Sequence, residues 1–317
     1  MNILIIGGNR YFGKRLTARL LESGHAVTIL NRGSSRVLDG LPDGLPDGAP
    51  DGAPNSVPDR ADHLLADRND EAALETALGD RTFDVVVDQV CYTPRQAAIA
   101  RRVFGPRTGR YLMTSTVEVY EYEDSAAPVR EEAVDPRTVA VDLDLPWDEG
   151  EFLDAHYGEG KRQAEAVFAA EPPFPYTAVR VAHVLGGGDD FTGRVEHYAR
   201  RIRAGEPISV PAVNHPATYV YVEEIAEFLA WAVETEFTGP VNAHSHGPLT
   251  TADICAEIER QVGGKTVLLE VEVGEVSPFS FARSYGMDNS RATALGFSFS
   301  NSAQWLPQAL SETLGAR

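Results

Sequence analysis

Four aliphatic residues, Ile3-Leu4-Ile5-Ile6, run directly into Gly7-Gly8-Asn9-Arg10-Tyr11-Phe12-Gly13, and a stretch with Leu16 and Leu20 at i, i+4 follows. A short apolar run that breaks into glycines and then into helical spacing reads as a buried strand, a tight turn and a helix. Glycines at such a turn let the backbone approach a pyrophosphate, and the helix N-terminus offers free amides and the positive end of its dipole. Gly24 is placed to end that helix. The same alternation continues: apolar runs at 26–30, 63–66, 84–88, 110–114 and 177–181 are separated by helical patterns. Strand–helix alternation predicts an α/β chain of the Rossmann type, a doubly wound parallel sheet.

The chain has 317 residues, enough for one large or two modest domains. The alternation defines a dinucleotide-binding part over 1–182, to which 214–250 is expected to return. The segments 183–213 and 251–317, with helical patterns at 192–204, 251–262 and 302–313, form a smaller C-terminal α/β region expected to bind substrate. A further helical pattern covers 223–235. Two stretches break the rhythm. Residues 39–54 are Asp-Gly-Leu-Pro twice, then Asp-Gly-Ala-Pro twice; each unit carries a turn and a proline, so no helix or ladder runs through it. It reads as a surface loop, with a lid over the adenosine end of a cofactor as the alternative. Residues 121–155 are acidic, contain Pro128, Pro136 and Pro146, and are expected to arch over the active site.

Composition narrows the partners. With 28 basic and 47 acidic residues the formal net charge is −19, and such a surface repels phosphate backbones and anionic lipid. Neither a nucleic acid nor a membrane is expected as a partner. Only Lys14, Lys161 and Lys265 are lysines; a GC-rich genome and a surface adapted to salt both account for such a balance. Cys91 and Cys255 fit neither a disulfide framework nor a zinc site. The N-terminus lacks a basic region and a long apolar run, so a cytoplasmic location is expected.

The cofactor end has a definite chemistry. The turn spells Gly7-x-x-Arg10-x-x-Gly13, with Asn9, Tyr11 and Phe12 beside the arginine. The second strand ends in Asn31-Arg32-Gly33-Ser34-Ser35-Arg36, where an NAD site would normally place a carboxylate for the ribose hydroxyls. Arg10, Arg32 and Arg36 converging on a 2′-phosphate favour NADP over NAD. Asp67, after the third strand, is placed either to accept from the adenine amino group or to cap a helix.

At the other end, Tyr157 and Lys161 stand at i, i+4 on one helical face. A phenol with a pKa near 10 is a weak acid–base at neutral pH, and a neighbouring ammonium is expected to lower it. Upstream, the run Tyr111-Leu-Met-Thr-Ser-Thr-Val-Glu-Val-Tyr120 brings hydroxyls to the carboxyl edge of the sheet, where ligands bind in such folds. With the late segments Arg180-Val-Ala-His-Val-Leu-Gly186, Tyr219-Val-Tyr-Val-Glu-Glu-Ile-Ala226 and Asp288-x-Ser-x-Ala, the sequence resembles the extended short-chain dehydrogenase/reductases, the NAD-dependent epimerase/dehydratase family. The resemblance implies Thr116 as the active-site hydroxyl, Tyr157 as acid–base and Lys161 as the ribose-binding, tuning lysine. It places Ala182 and Val184 against the nicotinamide, leaves Thr114 and Ser115 as fallback hydroxyls, and implies a homodimer seam on the helices at 94–104 and 157–170. Ordinary packing on the sheet is the alternative for those helices.

Three departures qualify it. Thr116 and Tyr157 are 41 residues apart, a long gap for this family. His215-Pro-Ala-Thr218 stands where an arginine usually grips a nucleotide diphosphate. Arg10 and Asn31-Arg32-Gly33 resemble an atypical branch that includes the chloroplast stem-loop RNA-binding proteins. Glu118 lacks the acidic neighbour that dehydratases pair with it, because Val117 precedes it; it is either a substrate-facing carboxylate or a structural polar residue. His156 and His183 are substrate contacts or structural. His244-Ser-His246 has no third ligand, so no metal is expected. The expectation is therefore an NAD(P)-dependent enzyme acting by tyrosine-assisted hydride transfer on a sugar, nucleotide-sugar or sugar-like small molecule. The alternatives are a reductase or dehydrogenase that releases its cofactor, and a non-catalytic dinucleotide-sensing or RNA-associated protein.

Overall fold

The computed structural model describes residues 1–33, 60–123, 125 and 127–315. The tetrapeptide repeat at 39–54 and Arg36 lie outside the described residues. Seven strands form one parallel sheet: β1 (Asn2–Ile6), β2 (Ala26–Asn31), β3 (Asp62–Leu65), β4 (Phe83–Asp88), β5 (Thr108–Thr116), β6 (Tyr176–Val181) and, after three strands that lie outside this sheet, β10 (Gly239–Ala243). Their order is β10-β6-β5-β4-β1-β2-β3. The chain winds outward from β1 on one side and returns to β4 on the other. The carboxyl ends of β1 and β4 are thus the switch point at which such sheets bind ligands.

The apolar runs form central strands because both faces are covered. On one face lie α1 (Tyr11–Glu22) and α7 (Val222–Glu234), which bury Leu16, Leu20, Ile225 and Phe228 against the sheet. Full burial of each such side chain contributes about 1.5–3 kcal/mol. On the other lie α2 (Glu71–Leu78), α3 (Pro94–Phe104) and α5 (Tyr157–Ala169). Gly24, at φ +82°, closes α1 by passing its amide to Leu21 O, as the sequence predicts. α3 is started by Thr93, whose side chain accepts from Gln96 N, with Pro94 in the first turn.

A second core is built from β7 (His183–Leu185), α6 (Arg194–Ala204), β8 (Pro207–Pro211), β9 (Tyr219–Tyr221), α8 (Thr251–Val262), β11 (Val267–Val271) and α10 (Ser302–Gly315). β7 pairs with β9 and β8 with β11, both parallel. Leu185, Tyr198, Ile202, Ala217, Ile254 and Leu310 are buried there. Within 214–250, Ala217 and Tyr219 join this core, whereas α7 and β10 complete the large sheet.

The segment 121–155 has little regular structure: short 3-10 turns at Glu131–Ala133 and Pro136–Thr138, then α4 (Gly150–Ala155). Its ends reach the carboxyl edge of the sheet, where Glu121, Asp154 and Ala155 line a cleft. Its middle packs behind that edge, with Val129, Glu131 and Val134 buried. Trp147 is buried against α5, near Gly160, and Asp142 N donates to the Gln163 side chain. The outer face of α5, expected in a dimer seam, is thereby covered within the chain. α9 (Ser290–Leu295) packs near β10. Among the described residues no helix is long and apolar enough to cross a membrane.

Candidate active site

The turn after β1 depends on its glycines. Gly7 and Gly8 have φ of +94° and +79°, a region that side chains disfavour. A Cβ on Gly8 would lie 2.6 Å from Ile5 Cγ2, and one on Gly13 would lie 2.1 Å from Gln89 Oε1 and 3.0 Å from Gly8 Cα. Thr17 Oγ1 spans the turn from below, within 2.9 Å of both Gly8 O and Gly13 O. Tyr11 holds a left-handed φ of +49°, and its hydroxyl donates to Gly186 O at 2.9 Å. Arg10 occupies the α1 N-cap without a side-chain cap bond. A strand end, a glycine cradle and an open helix start together fit a pyrophosphate.

From this turn a cleft of about 870 Å³ runs along the carboxyl edge of the sheet. Its walls include Gly7, Asn9, Arg10, Tyr11 and Phe12, then Asn31 and Arg32 at the end of β2, and Asp67 after β3. Farther along stand Thr116, Glu118, Tyr157, Lys161, Ala182, His183 and Val184. Gly13 supports the turn from beneath and is not on the wall. Asn31 Oδ1 is taken by Gly33 N and His63 Nε2, both at 2.9 Å. Asp67 accepts from Asn69 N at 2.9 Å, and the α2 cap falls instead to Asp70, which accepts from Ala73 N.

At the far end of the cleft, β5 extends two residues beyond the predicted run, so Ser115 and Thr116 close the strand itself. Lys161 is buried; its Nζ donates to Thr114 O at 2.7 Å and sits 4.6 Å from the Tyr92 ring centre. Burial pulls the ammonium down to about 8. The expectation that Lys161 lowers Tyr157 is corrected here. Lys161 Nζ is 5.9 Å from the Tyr157 ring centre and turned to a carbonyl. Desolvation, then the neighbouring Tyr92, push the phenol above its ordinary range, against a smaller pull from a hydrogen bond with Thr116. Ser115 is removed as a fallback hydroxyl, because its Oγ donates to Glu165 at 2.5 Å.

Beyond Tyr157 the wall comes from distant parts of the chain. Glu118 accepts from the Tyr285 hydroxyl at 2.9 Å and meets Arg283 Nη2 at 3.5 Å. Burial raises its pKa against these two partners. The Arg283 guanidinium stacks 3.7 Å over the Tyr285 ring. His183 stacks on Phe281 with centres 5.0 Å apart. Burial, then Arg194 and Arg283, lower its pKa to about 3, so it is neutral at working pH. His156 is no wall residue: its Nδ1 pairs with Phe152 O and its ring stacks on Phe152. His244 and His246 line a separate cavity of about 290 Å³. No cluster of three or more metal-ligating side chains occurs among the described residues.

Behind the wall, Arg180 is fully buried and fastens the site from the rear. It binds Glu165 at 2.7 Å, the Tyr120 hydroxyl at 2.8 Å, and the carbonyls of Glu131 and Val134 at 2.9 and 2.8 Å.

The sequence reading did not single out Gln89, Tyr92, Arg194, Arg201 or Phe281, all on the cleft wall, nor Arg283 and Tyr285 behind Glu118. Gln89 and Tyr92 follow β4, so the carboxyl-edge rule applied to that strand would have found them. Nothing local marks the C-terminal residues.

The fold is that of a Rossmann-type α/β protein, and its cleft carries a tyrosine and a lysine of one helix at its far end. Residues 3–104 match the model of the NAD dependent epimerase/dehydratase family, so the resemblance carried by the motifs is borne out over that first third of the chain. The fold extends the likeness to the whole length. The UDP-glucose 4-epimerase of Thermotoga maritima, solved with UDP-glucose, superposes with a TM-score of 0.71 at 19% identity, covering 99% of each chain. The dTDP-glucose 4,6-dehydratase of Bacillus anthracis, solved with NAD, superposes with 0.72 at 13% identity, covering 99% of this chain and 97% of its own. The chloroplast stem-loop binding protein of 41 kDa b of Arabidopsis thaliana is 28% identical over 211 residues, 66% of this chain. The chain matches only 48% of that relative's length.

Proposed function

We propose that this protein is an NAD(P)-dependent enzyme of the epimerase/dehydratase type, acting on a hydroxyl or carbonyl of a sugar, nucleotide sugar or sugar-like metabolite. The observation that carries the reading is the meeting of Thr116, Tyr157 and Lys161 on one cleft wall, along the carboxyl edge from the glycine turn. A bound nicotinamide dinucleotide supplies reversible hydride exchange with the substrate carbon. The rest falls to the chain's own groups. Tyr157, protonated at neutral pH by its raised pKa, holds the proton for a carbonyl oxygen, and Thr116 donates to that same oxygen. Lys161, Ala182 and Val184 position the nicotinamide riboside. Gly7, Asn9, Arg10, Tyr11, Phe12, Asn31, Arg32 and Asp67 hold the phosphates and adenosine, and Gly13 shapes the turn from beneath.

Arg10 and Arg32 on the wall, and the lack of a carboxylate at the end of β2, support NADP over NAD. The neighbours solved with NAD favour the other dinucleotide, and competitive binding of the two decides. The second core supplies the substrate wall. Arg194 and Arg201 bring to it the cations that the segment before Tyr219 lacks, which suits an anionic substrate such as the nucleotide sugar bound in the Thermotoga structure. The expected homodimer has less support, since most of α5 is buried within the chain; sedimentation decides it.

Tyr157→Phe tests the mechanism. Turnover should fall on the order of 10²–10⁴-fold while dinucleotide affinity stays within about twofold of the parent. Unchanged turnover would overturn the mechanism. Product formed without net change in reduced-nicotinamide absorbance separates the epimerase or dehydratase reading from a dehydrogenase that releases its cofactor. The relative named for stem-loop binding makes an RNA-associated role the second reading; retention of both Tyr157 and Lys161 in the cleft favours catalysis.

A further inference from the structure

Gln89 is the first residue after β4, and its backbone amide donates to Ile6 O at 3.0 Å. That bond sets it at the switch point, directly across from the glycine turn. Its side chain enters the concavity that the three glycines leave. Gln89 Oε1 accepts from Gly8 N at 3.2 Å, and the ideal Cβ positions of Gly7 and Gly13 lie 3.4 Å from Gln89 Cβ and 2.1 Å from Gln89 Oε1. The carboxamide is therefore half used. Its Nε2 is shut away from solvent and has no hydrogen-bond partner among the described residues. A buried, unsatisfied amide donor costs about 1–3 kcal/mol, and such a cost at a cleft wall marks a place where an acceptor belongs.

We propose that Gln89 is a cofactor-binding residue: its Oε1 fixes the Gly8 amide, and its Nε2 is donated to an oxygen of the dinucleotide where the pyrophosphate passes the glycine turn. The proposal rests on the reading of the cleft as a dinucleotide site. It assigns to one side chain two tasks that a substitution can separate. Glutamate in its place keeps an acceptor for Gly8 N–H but has no donor and brings a negative charge toward a phosphate. Leucine keeps the bulk, removes both polar functions and adds no charge.

The test is direct binding of NADPH and NADH to the full chain by intrinsic fluorescence, with thermal melts of the same samples. Gln89→Glu and Gln89→Leu should each weaken the preferred dinucleotide about tenfold or more, a loss of about 1.4 kcal/mol. The melting temperature of ligand-free Gln89→Glu should stay close to that of the parent. If only Gln89→Leu loses affinity, Gln89 merely holds the loop and the proposal is overturned. If Gln89→Leu binds like the parent, the donor is not used and the proposal also falls. A parent protein that binds neither dinucleotide would remove the cleft reading itself, an outcome distinct from both.

Discussion

Lys161 carries its charge in a place that disfavours it. The side chain is buried, and one carbonyl, Thr114 O, accepts a hydrogen bond from its ammonium. Its pKa of about 8 against an ordinary 10.5 means that the unfolded chain binds this proton more tightly than the folded one. Below pH 8 both states are charged and the full penalty, about 3 kcal/mol, weighs on the fold. Between 8 and 10.5 the folded protein sheds its proton first and the penalty shrinks; above 10.5 it is gone. Lys161→Met is therefore expected to inactivate the protein and yet stabilise it at pH 7 by about 1–3 kcal/mol, after the lost hydrogen bond is deducted. That gain should fade toward pH 10.5. Urea unfolding at the two pH values checks this, and a variant less stable than the parent at pH 7 rejects it. Stability given up for a functional charge is common at active sites.

Among the elements, β6 does more than fill the sheet, because Arg180 ties three pieces together. From the strand its guanidinium reaches Glu165 on α5, the Tyr120 hydroxyl after β5, and the carbonyls of Glu131 and Val134 in the 121–155 segment. Ser115 and Asn242 extend the network to the ends of β5 and β10. Removing one partner of a buried pair leaves an uncompensated charge, so Arg180→Met should cost about 3–5 kcal/mol. Adding Glu165→Gln should return part of that loss, and a double-mutant cycle by chemical denaturation measures the return. A purely additive cycle would show that the two groups do not act as a pair. This element scale also shows what the sequence could and could not reveal. Fully buried strands such as Ile3–Ile6 announce themselves as apolar runs, and their ends fall within one or two residues of prediction. β11 is mostly exposed along its length and β7 has three residues, so neither carries a period. Tyr157 and Lys161 are legible as an i, i+4 pair on a helix, and the hydroxyls at 114–116 as a strand end, while the choice of Thr116 among those three comes from the family resemblance. Tyr285 was not, because its bond to Glu118 spans 167 residues and depends on how the second core docks.

For the molecule as a whole, the charge of −19 is a repulsive field that the compact state concentrates. Salt screens it, with a Debye length that falls from about 10 Å at 0.1 M to 3 Å at 1 M. The melting temperature should accordingly rise by several degrees between about 0.05 M and 1 M potassium chloride; a flat or falling curve would show that surface repulsion is not what limits the fold. Chain order adds a constraint of another kind. β10 lies beside β6 in the sheet, yet Gly239 is synthesised 58 residues after Val181. At about 5–20 residues per second on the ribosome, roughly 3–12 s separate the two strands. Throughout that interval β6 ends the sheet with an unpaired edge, the kind that recruits stray strands. The nascent protein thus cannot complete its large sheet before Ala243 has emerged, and a fragment cut after residue 182 should leave that edge bare.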